Sequence, residues 1–160
     1  MRALYTVGGT LNRGFVGQIT YTVCLEEAWD KLDIEFAFDK RRYEEADVTD
    51  ALVAETRALC LEKYGHADSD AELRRAILGE MKTEIHTLAT LNDDFIGCVH
   101  RQLDRRRMTW DGEYATPGCI PQARFEGVLK VTVLVFNVIK DDTRYTFTVR
   151  GANGEEAFPC

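Results

Sequence analysis

Two histidines, His86 and His100, carry the side chains with the widest chemical range in this chain. Imidazole exchanges protons near neutral pH and ligates metal ions. On one continuous helix the two residues would lie about 21 Å apart along the axis, because each residue adds about 1.5 Å. One metal ion cannot bridge that distance. The sequence therefore predicts no metal site and no cofactor unless the helix breaks near Asn92.

A small-molecule site is one use that these histidines could have. Ligand pockets combine aromatic walls with a few polar anchors. The predicted ligand-binding residues are His86, His100, Arg101, Trp110 and Tyr114. This hypothesis places a small-molecule or metal pocket between a helix and a sheet.

Two groups of cationic side chains form a second candidate site. Guanidinium groups beside aromatic rings can hold phosphates or single-stranded bases. The predicted anion or nucleic-acid patch consists of Lys40, Arg41, Arg42, Arg105, Arg106 and Arg107. The net charge of −7 opposes broad attraction to nucleic acid or to an anionic membrane. We therefore expect no membrane partner, and a nucleic-acid partner only through this local patch.

The sequence contains no complete set of catalytic residues. Ser69 is the only serine, and no G-x-S-x-G elbow surrounds it. Residues 9–14 have the glycine spacing of a P-loop, but Phe15 and Val16 stand where Lys and Ser or Thr would hold phosphate and magnesium. The five cysteines are scattered without a C-x-x-C pair, which is typical of a reducing compartment. The sequence favours a noncatalytic, cytoplasmic protein.

A run of apolar residues at helical spacing is the main signal for the elements that position these side chains. The run consists of Leu73, Ile77, Met81, Ile85, Leu88, Phe95, Val99 and Leu103. At 100° per residue these side chains share one broad face, which predicts a long amphipathic helix. Asn92-Asp93-Asp94 could break it. Residues 69–104 thus remain open to one helix, two helices, or a helix and a strand.

Capping residues predict a shorter helix before this run. Asp47 or Thr49 can cap a helix that continues to about Tyr64 and stops at Gly65. The long helix then begins after Ser69, where S-x-x-E forms a capping box. Together the two helices form a predicted central pair.

Strands are predicted on both sides of this pair. Residues 2–7 are a short strand candidate, and period-two alternation over 18–25 and 32–38 is typical of half-buried antiparallel strands. At the C-terminal end, a turn at 141–142 would align three apolar pairs across a hairpin. The pairs are Val138 with Tyr145, Phe136 with Phe147, and Leu134 with Val149.

The predicted fold is one α+β domain over residues 1–150, with a loosely ordered tail over 151–160. An antiparallel sheet of about five strands, three N-terminal and two C-terminal, packs against the central helical pair with its long amphipathic helix. With 160 residues, the chain is long enough to bury a core without metals or disulfides.

The leading functional hypothesis is a noncatalytic binding or assembly module. An apolar stripe longer than a small sheet can cover would leave surface for a protein partner or for a second copy of the chain. The alternative is a small-molecule or metal-binding domain with a pocket between helix and sheet. Nucleic-acid binding through the arginine and aromatic patch is a further alternative.

Overall fold

The structure, a computed structural model, describes residues 1–100, 103–155 and 158. In these residues the chain forms nine strands and two α-helices. The strands are β1 (Arg2–Leu11), β2 (Gly17–Trp29), β3 (Lys31–Phe38), β4 (Glu84–Leu91), β5 (Asp94–Val99), β6 (Arg105–Asp111), β7 (Tyr114–Ala115), β8 (Phe125–Asn137) and β9 (Thr143–Ala152). The helices are α1 (Asp50–Tyr64) and α2 (Asp70–Gly79), preceded by a short 3-10 turn at Glu45–Asp47. Strands dominate, and the predicted α+β fold class is wrong.

The strands form two antiparallel sheets. The five-stranded sheet has the order β1-β9-β3-β6-β7, and the four-stranded sheet has the order β2-β8-β4-β5. Apart from the two-residue β7, this is the strand order of a jelly roll, which is built from two Greek keys. The prediction of a single sheet is therefore wrong, because its N-terminal and C-terminal strands are divided between two sheets.

The two sheets bury one shared core between them. Period-two alternation turns Leu32, Ile34 and Phe36 of β3 inward, and Val131 and Val133 of β8 enter the same core from the other sheet. Each of these five residues is at most 1% exposed. Two apolar sheet faces that exclude water from each other supply the main driving force for this fold.

The two helices form an insertion between β3 and β4 and bury a smaller core of their own. Thr49 caps α1, and Gly65 ends it with a φ of 76°. Ser69 and Glu72 form the predicted capping box of α2. These local predictions are confirmed, although the pair does not pack centrally on the core between the sheets. The smaller core consists of Tyr43, Val48, Leu52, Val53, Leu73, Ile77 and Ile139.

The predicted long amphipathic helix is wrong, because α2 ends at Gly79 and the later part of the apolar run forms β4 and β5. Asn92 and Asp93 join these strands with φ values of 51° and 71°. A two-residue hairpin turn requires this left-handed backbone, and Asn and Asp tolerate it. The suspected break in the helix is thus a β-turn.

The side chains of β4 show why helical spacing misled the prediction. Ile85, Thr87 and Ala89 point into the core and are at most 1% exposed, whereas Leu88 lies on the outer face. The small or polar residues at two of the true core positions conceal the period of two. In contrast, Ile85 and Leu88 accidentally match the helical spacing of α2.

The predicted C-terminal hairpin is also wrong, because β8 and β9 do not pair. β8 pairs with β2 and β4, whereas β9 pairs with β1 and β3. Val133 and Phe147 face the same core from opposite sheets, and Phe136 is 53% exposed. Local apolar patterns do not distinguish a partner beside a strand from one across the core.

Candidate functional site

Arg106 places a guanidinium inside one end of the sandwich between the two sheets. On β6, Arg106 alternates with Met108 and Trp110 on the core side, and only 4% of it is exposed. Its guanidinium carbon lies 5.7 Å from the centre of the Phe36 ring and 5.6 Å from that of Phe38. These distances fall within the range of cation–π contacts. The strand register and the two rings together position the cation.

The hydrogen-bonding capacity of this guanidinium is only partly used. Nε donates to the carbonyl oxygen of Leu103 at 3.0 Å. Nη1 is buried and has no hydrogen-bond partner among the residues that the structure describes. A buried N–H group without an acceptor is costly. Nη1 of Arg106 is therefore the atom at this end of the sandwich that an acceptor from outside the chain would satisfy.

A second cation lies close enough to Arg106 to act on its charge. Burial, followed by the charge of Arg41, lowers the pKa of Arg106 to about 10. Asp104, Cys98 and Glu84 oppose this effect only in part. The guanidinium still remains charged at neutral pH. Two cations, Arg41 and Arg106, and two carboxylates, Asp104 and Glu84, thus act on one another at this end of the sandwich.

His86 and His100 come together on the outer face of the four-stranded sheet. Their ring centroids are 6.0 Å apart, and the His86 ring also contacts Phe136 at 4.7 Å. His86 Nε2 donates to Glu84 Oε1 at 3.2 Å, since a carboxylate can only accept. Burial lowers the pKa of His86 most; Glu84 opposes this, and the charges of Arg106 and His100 lower it further. His86 is thus neutral at neutral pH.

The thiols near the site are not activated. Burial raises the pKa of Cys98, although Arg106 opposes this effect. Burial also raises the pKa of Cys119 to about 11. Because the thiolate is the nucleophilic form, both side chains are poor nucleophiles at neutral pH. In the described part of the chain, no group of three or more His, Cys, Asp or Glu residues converges as a metal site.

The other predicted ligand-binding residues lie elsewhere. Trp110 is fully buried in the core, where Nε1 donates to a backbone carbonyl oxygen at 3.0 Å. Tyr114 is 58% exposed on β7, at the edge of the five-stranded sheet. Arg101 lies outside the described residues. Of the five predicted residues, the structure brings His86 and His100 together, and it does so through a hairpin.

The predicted anion or nucleic-acid patch divides into separate places. Lys40 Nζ donates to a backbone carbonyl oxygen at 2.8 Å, and Arg42 Nη1 donates to another in the helical insertion. These two hydrogen bonds stabilise the backbone around the helical insertion. Arg41 acts instead on Arg106, because its positive charge lowers the pKa of that guanidinium.

Arg105 and Arg107 lie on the outer face of the five-stranded sheet, opposite Arg106. Arg107 Nε donates to Asp33 Oδ1 at 3.0 Å, and Arg150 Nη1 donates to Asp33 Oδ2 at 2.8 Å. Asp33 is fully buried beneath these side chains although it points outward. The sequence alone does not reveal this network, because its opposite charges become neighbours only through the pairing of β3 with β6 and β9.

Comparison with known proteins identifies a family but no function. Residues 1–157 match the model of a family of unknown function (DUF6669). No curated protein and no solved structure matches the chain. Across the described ranges, neither α1 nor α2 nor any other helical segment is long and apolar enough to cross a membrane. Function must be inferred from the geometry of the site.

Proposed function

The chain belongs to the DUF6669 family, and from the geometry at the end of the sandwich we propose that it is a noncatalytic binding module that holds a small anion at Arg106. The observation that carries the proposal is Nη1 of Arg106, which is buried without an acceptor among the described residues. A carboxylate or phosphate oxygen would supply both the acceptor and the opposite charge. Either group could accept a hydrogen bond from Nη1, and hydrogen bonds between two charged groups are stronger than those between neutral ones.

The electrostatics of the site support an anionic ligand. Charges interact more strongly where protein excludes water, and a buried cation without a close counterion is unfavourable. Arg41 adds a second positive charge whose effect on Arg106 is repulsive. An anion bound at Arg106 would offset both the burial of this charge and the repulsion.

The position of Arg106 favours a small ligand. Arg106 is only 4% exposed, whereas His100, Leu103 and Asp104, which lie near it in the sequence, are on the surface. The guanidinium thus lies just below the protein surface, and its space is shared with the rings of Phe36 and Phe38. Formate, acetate or inorganic phosphate are ligands of the appropriate size and charge.

The nucleophilic side chains support a binding role over a catalytic one. The pKa of Cys98, the thiol whose charge interacts with Arg106, is raised by burial. Ser69, the only serine, caps α2 and donates its hydroxyl hydrogen to Glu72 at 2.6 Å. Neither side chain is therefore an activated nucleophile: burial favours the protonated thiol of Cys98, and the hydroxyl of Ser69 caps a helix.

Thermal unfolding in formate tests the anion site. A ligand that binds only the folded state raises its stability by RT ln(1 + [L]/Kd). We expect formate, at constant ionic strength, to raise the Tm of the wild-type protein in a saturable manner. Arg106→Gln should abolish this rise, because it removes the guanidinium that binds the anion.

Arg105→Gln is the matched control, because it changes the same charge on the neighbouring residue of the same strand. Its side chain is 70% exposed and lies on the opposite face of the sheet. We expect this variant to keep the full response to formate. Equal responses of the two variants would contradict an anion site at Arg106.

Self-association is a second candidate function, which the outer face of the four-stranded sheet favours. Phe136, Phe95 and Val128 point outward there and are 53%, 45% and 36% exposed. Burial of these apolar side chains against a second copy of the chain would stabilise a dimer.

Sedimentation velocity at micromolar concentration tests this role, and we expect a dimer. Phe95→Ser should weaken the dimer. Tyr114→Ser alters an exposed ring elsewhere and should leave the dimer intact. A monomer at every concentration would exclude this role.

Several expectations from the sequence remain predictions. They are the cytoplasmic location, the single domain over 1–150 with its tail over 151–160, and the small role of nucleic acid. The proposed ligand position also differs from the predicted pocket, because it lies between two sheets and not between a helix and a sheet. The thermal and sedimentation experiments address the binding and assembly roles separately.

A further inference from the structure

We infer that His86 and His100 together bind one divalent transition-metal ion, such as Zn²⁺, on the outer face of the four-stranded sheet. The evidence is a cross-strand pair of imidazole rings with a carboxylate in contact with one of them. Neutral imidazole is a preferred ligand of zinc and of its neighbours in the first transition series. The inference goes beyond the anion site proposed at Arg106, because it concerns other residues on another face of the molecule.

The pairing of β4 with β5 places the two histidines side by side. Thr87 pairs with Val99, and both of these side chains are buried in the core. His86 precedes Thr87 and His100 follows Val99, so the antiparallel register brings the two histidines opposite each other. Because successive side chains of a strand point to opposite faces, both imidazoles lie on the outer face.

The spacing of the two rings suits a shared metal ion. Their centroids are 6.0 Å apart. Two imidazoles on one tetrahedral ion, with Zn–N bonds of about 2.0–2.1 Å, have centroids about 5 Å apart. Small rotations of the two side chains would therefore bring a nitrogen atom of each ring to the same ion. On a continuous helix the separation would be about 21 Å, and the hairpin removes this obstacle to a metal site.

Glu84 prepares His86 to act as a ligand. His86 Nε2 donates to Glu84 Oε1 at 3.2 Å, so that Nδ1 is the nitrogen whose lone pair can bind a metal ion. Histidines that bind metal ions commonly donate their other ring N–H to a carboxylate, which orients the ring and makes it a stronger ligand. The ring of Phe136 packs against His86 with centroids 4.7 Å apart and restricts its orientation further.

The exposure and the charges around the pair permit a hydrated cation. The side chains of His86 and Glu84 are 19% and 33% exposed, and His100 is on the surface. Glu84 favours positive charge at His86, whereas the charge of Arg106 opposes it. Arg106 points between the sheets and not to the outer face. Of these two charged groups, the carboxylate is the one in direct contact with an imidazole.

Water would complete the coordination of the ion. Within the described residues, no third His, Cys, Asp or Glu joins the two imidazoles to form a group of metal ligands. Positions on zinc that the protein leaves open are occupied by water or by a substrate. We therefore expect weaker binding than at zinc sites with three or four protein ligands.

An NMR titration of the full-length protein with zinc chloride, which follows the ring protons of the histidines, tests the inference. We expect the signals of His86 and His100 to shift together with the same Kd. The chelator EDTA should reverse both shifts. His66 is exposed between the two helices, and its signals should remain in place.

Four variants assign the roles of these residues. His86→Gln and His100→Gln each leave one imidazole, and each should raise the Kd at the remaining ring more than about tenfold. Glu84→Gln keeps both ligands but removes the carboxylate, and it should raise the Kd about tenfold. His66→Gln is the matched control and should leave the Kd unchanged.

The outcomes that would overturn the inference are distinct. They are a shift of only one ring of the pair, no shift of either ring up to millimolar zinc, or a wild-type Kd in either His86→Gln or His100→Gln. A wild-type Kd in Glu84→Gln would overturn the role of Glu84 as a positioning residue. The wild-type titration decides whether the pair binds zinc even if a variant fails to fold. None of these results bears on the response to formate at Arg106, which is measured separately.

Discussion

Arg106 and Arg107 are neighbours on β6, yet their guanidinium groups lie in opposite environments. Arg107 points to the outer face and donates to Asp33 at 3.0 Å, and Arg150 donates to the same carboxylate at 2.8 Å. Arg106 points into the sandwich, where its Nη1 has no acceptor among the described residues. The alternation of side chains along a strand separates the two by sheet face alone.

This difference distinguishes a cation that stabilises the fold from one that is available to a ligand. On the outer face, the chain itself supplies a carboxylate with both oxygens in use. On the inner face, nearby groups hold the guanidinium in place, and no carboxylate among the described residues forms a close ion pair with it. We therefore expect substitutions on the outer face to change stability, and substitutions at Arg106 to change the response to anions.

The largest expected effect is on the outer face, at Asp33. Asp33→Asn removes the buried carboxylate charge that Arg107 and Arg150 share. Loss of one partner of a buried ion pair costs about 3–5 kcal/mol, and we expect about 3 kcal/mol because the two guanidinium groups are partly exposed. Urea denaturation measures this loss as a lower free energy of unfolding.

Glu35→Gln is the control for Asp33→Asn, because Glu35 lies on the same strand and the same face. Its carboxylate is 20% exposed and reaches Arg105, Arg107 and Arg150 only at 3.7–3.8 Å. We expect a loss below about 1 kcal/mol, as for exposed ion pairs. A loss in Asp33→Asn no greater than that in Glu35→Gln would contradict a stabilising network centred on Asp33.

Substitutions of the two neighbouring arginines are expected to change the free energy of unfolding less than Asp33→Asn does, and in opposite directions from each other. Arg107→Met leaves Asp33 with one guanidinium and should cost about 2 kcal/mol. Arg106→Met replaces a buried cation that has no close counterion in the described part of the chain, and should leave stability unchanged or raise it by about 1 kcal/mol. Urea denaturation of both variants without formate measures the difference. A larger loss in Arg106→Met would indicate that this cation mainly stabilises the fold.

The sequence reveals local structure better than strand partnership. The caps at Thr49, Gly65 and Ser69 depend on residues near each other in the chain, and their prediction is confirmed. The partners of β8 and β9 depend on contacts across the whole chain, which local alternation does not encode. In β4, Thr87 and Ala89 occupy core positions without a clear apolar signal. The spacing of the remaining apolar residues therefore predicts a helix where the chain forms a strand with a period of two.

The site was only partly visible in the sequence for the same reason. The chemistry of imidazole draws attention to His86 and His100, but the apolar spacing of this segment predicts a helix and not the hairpin that brings the two residues together. Proximity in the sequence alone places Arg106 in one patch with Arg105 and Arg107. The alternation of Arg106 with Met108 and Trp110 would have placed it on the core side, once this segment was recognised as a strand.

The most direct test of the anion site is an NMR titration that follows the Nε–H signals of Arg106 and Arg107 as formate is added. We predict a saturable shift of the Arg106 signal, with the same Kd as the rise in Tm, while the Arg107 signal remains in place. If the Arg106 signal does not move, or if both signals drift together without saturation, the proposal that Arg106 binds an anion is contradicted.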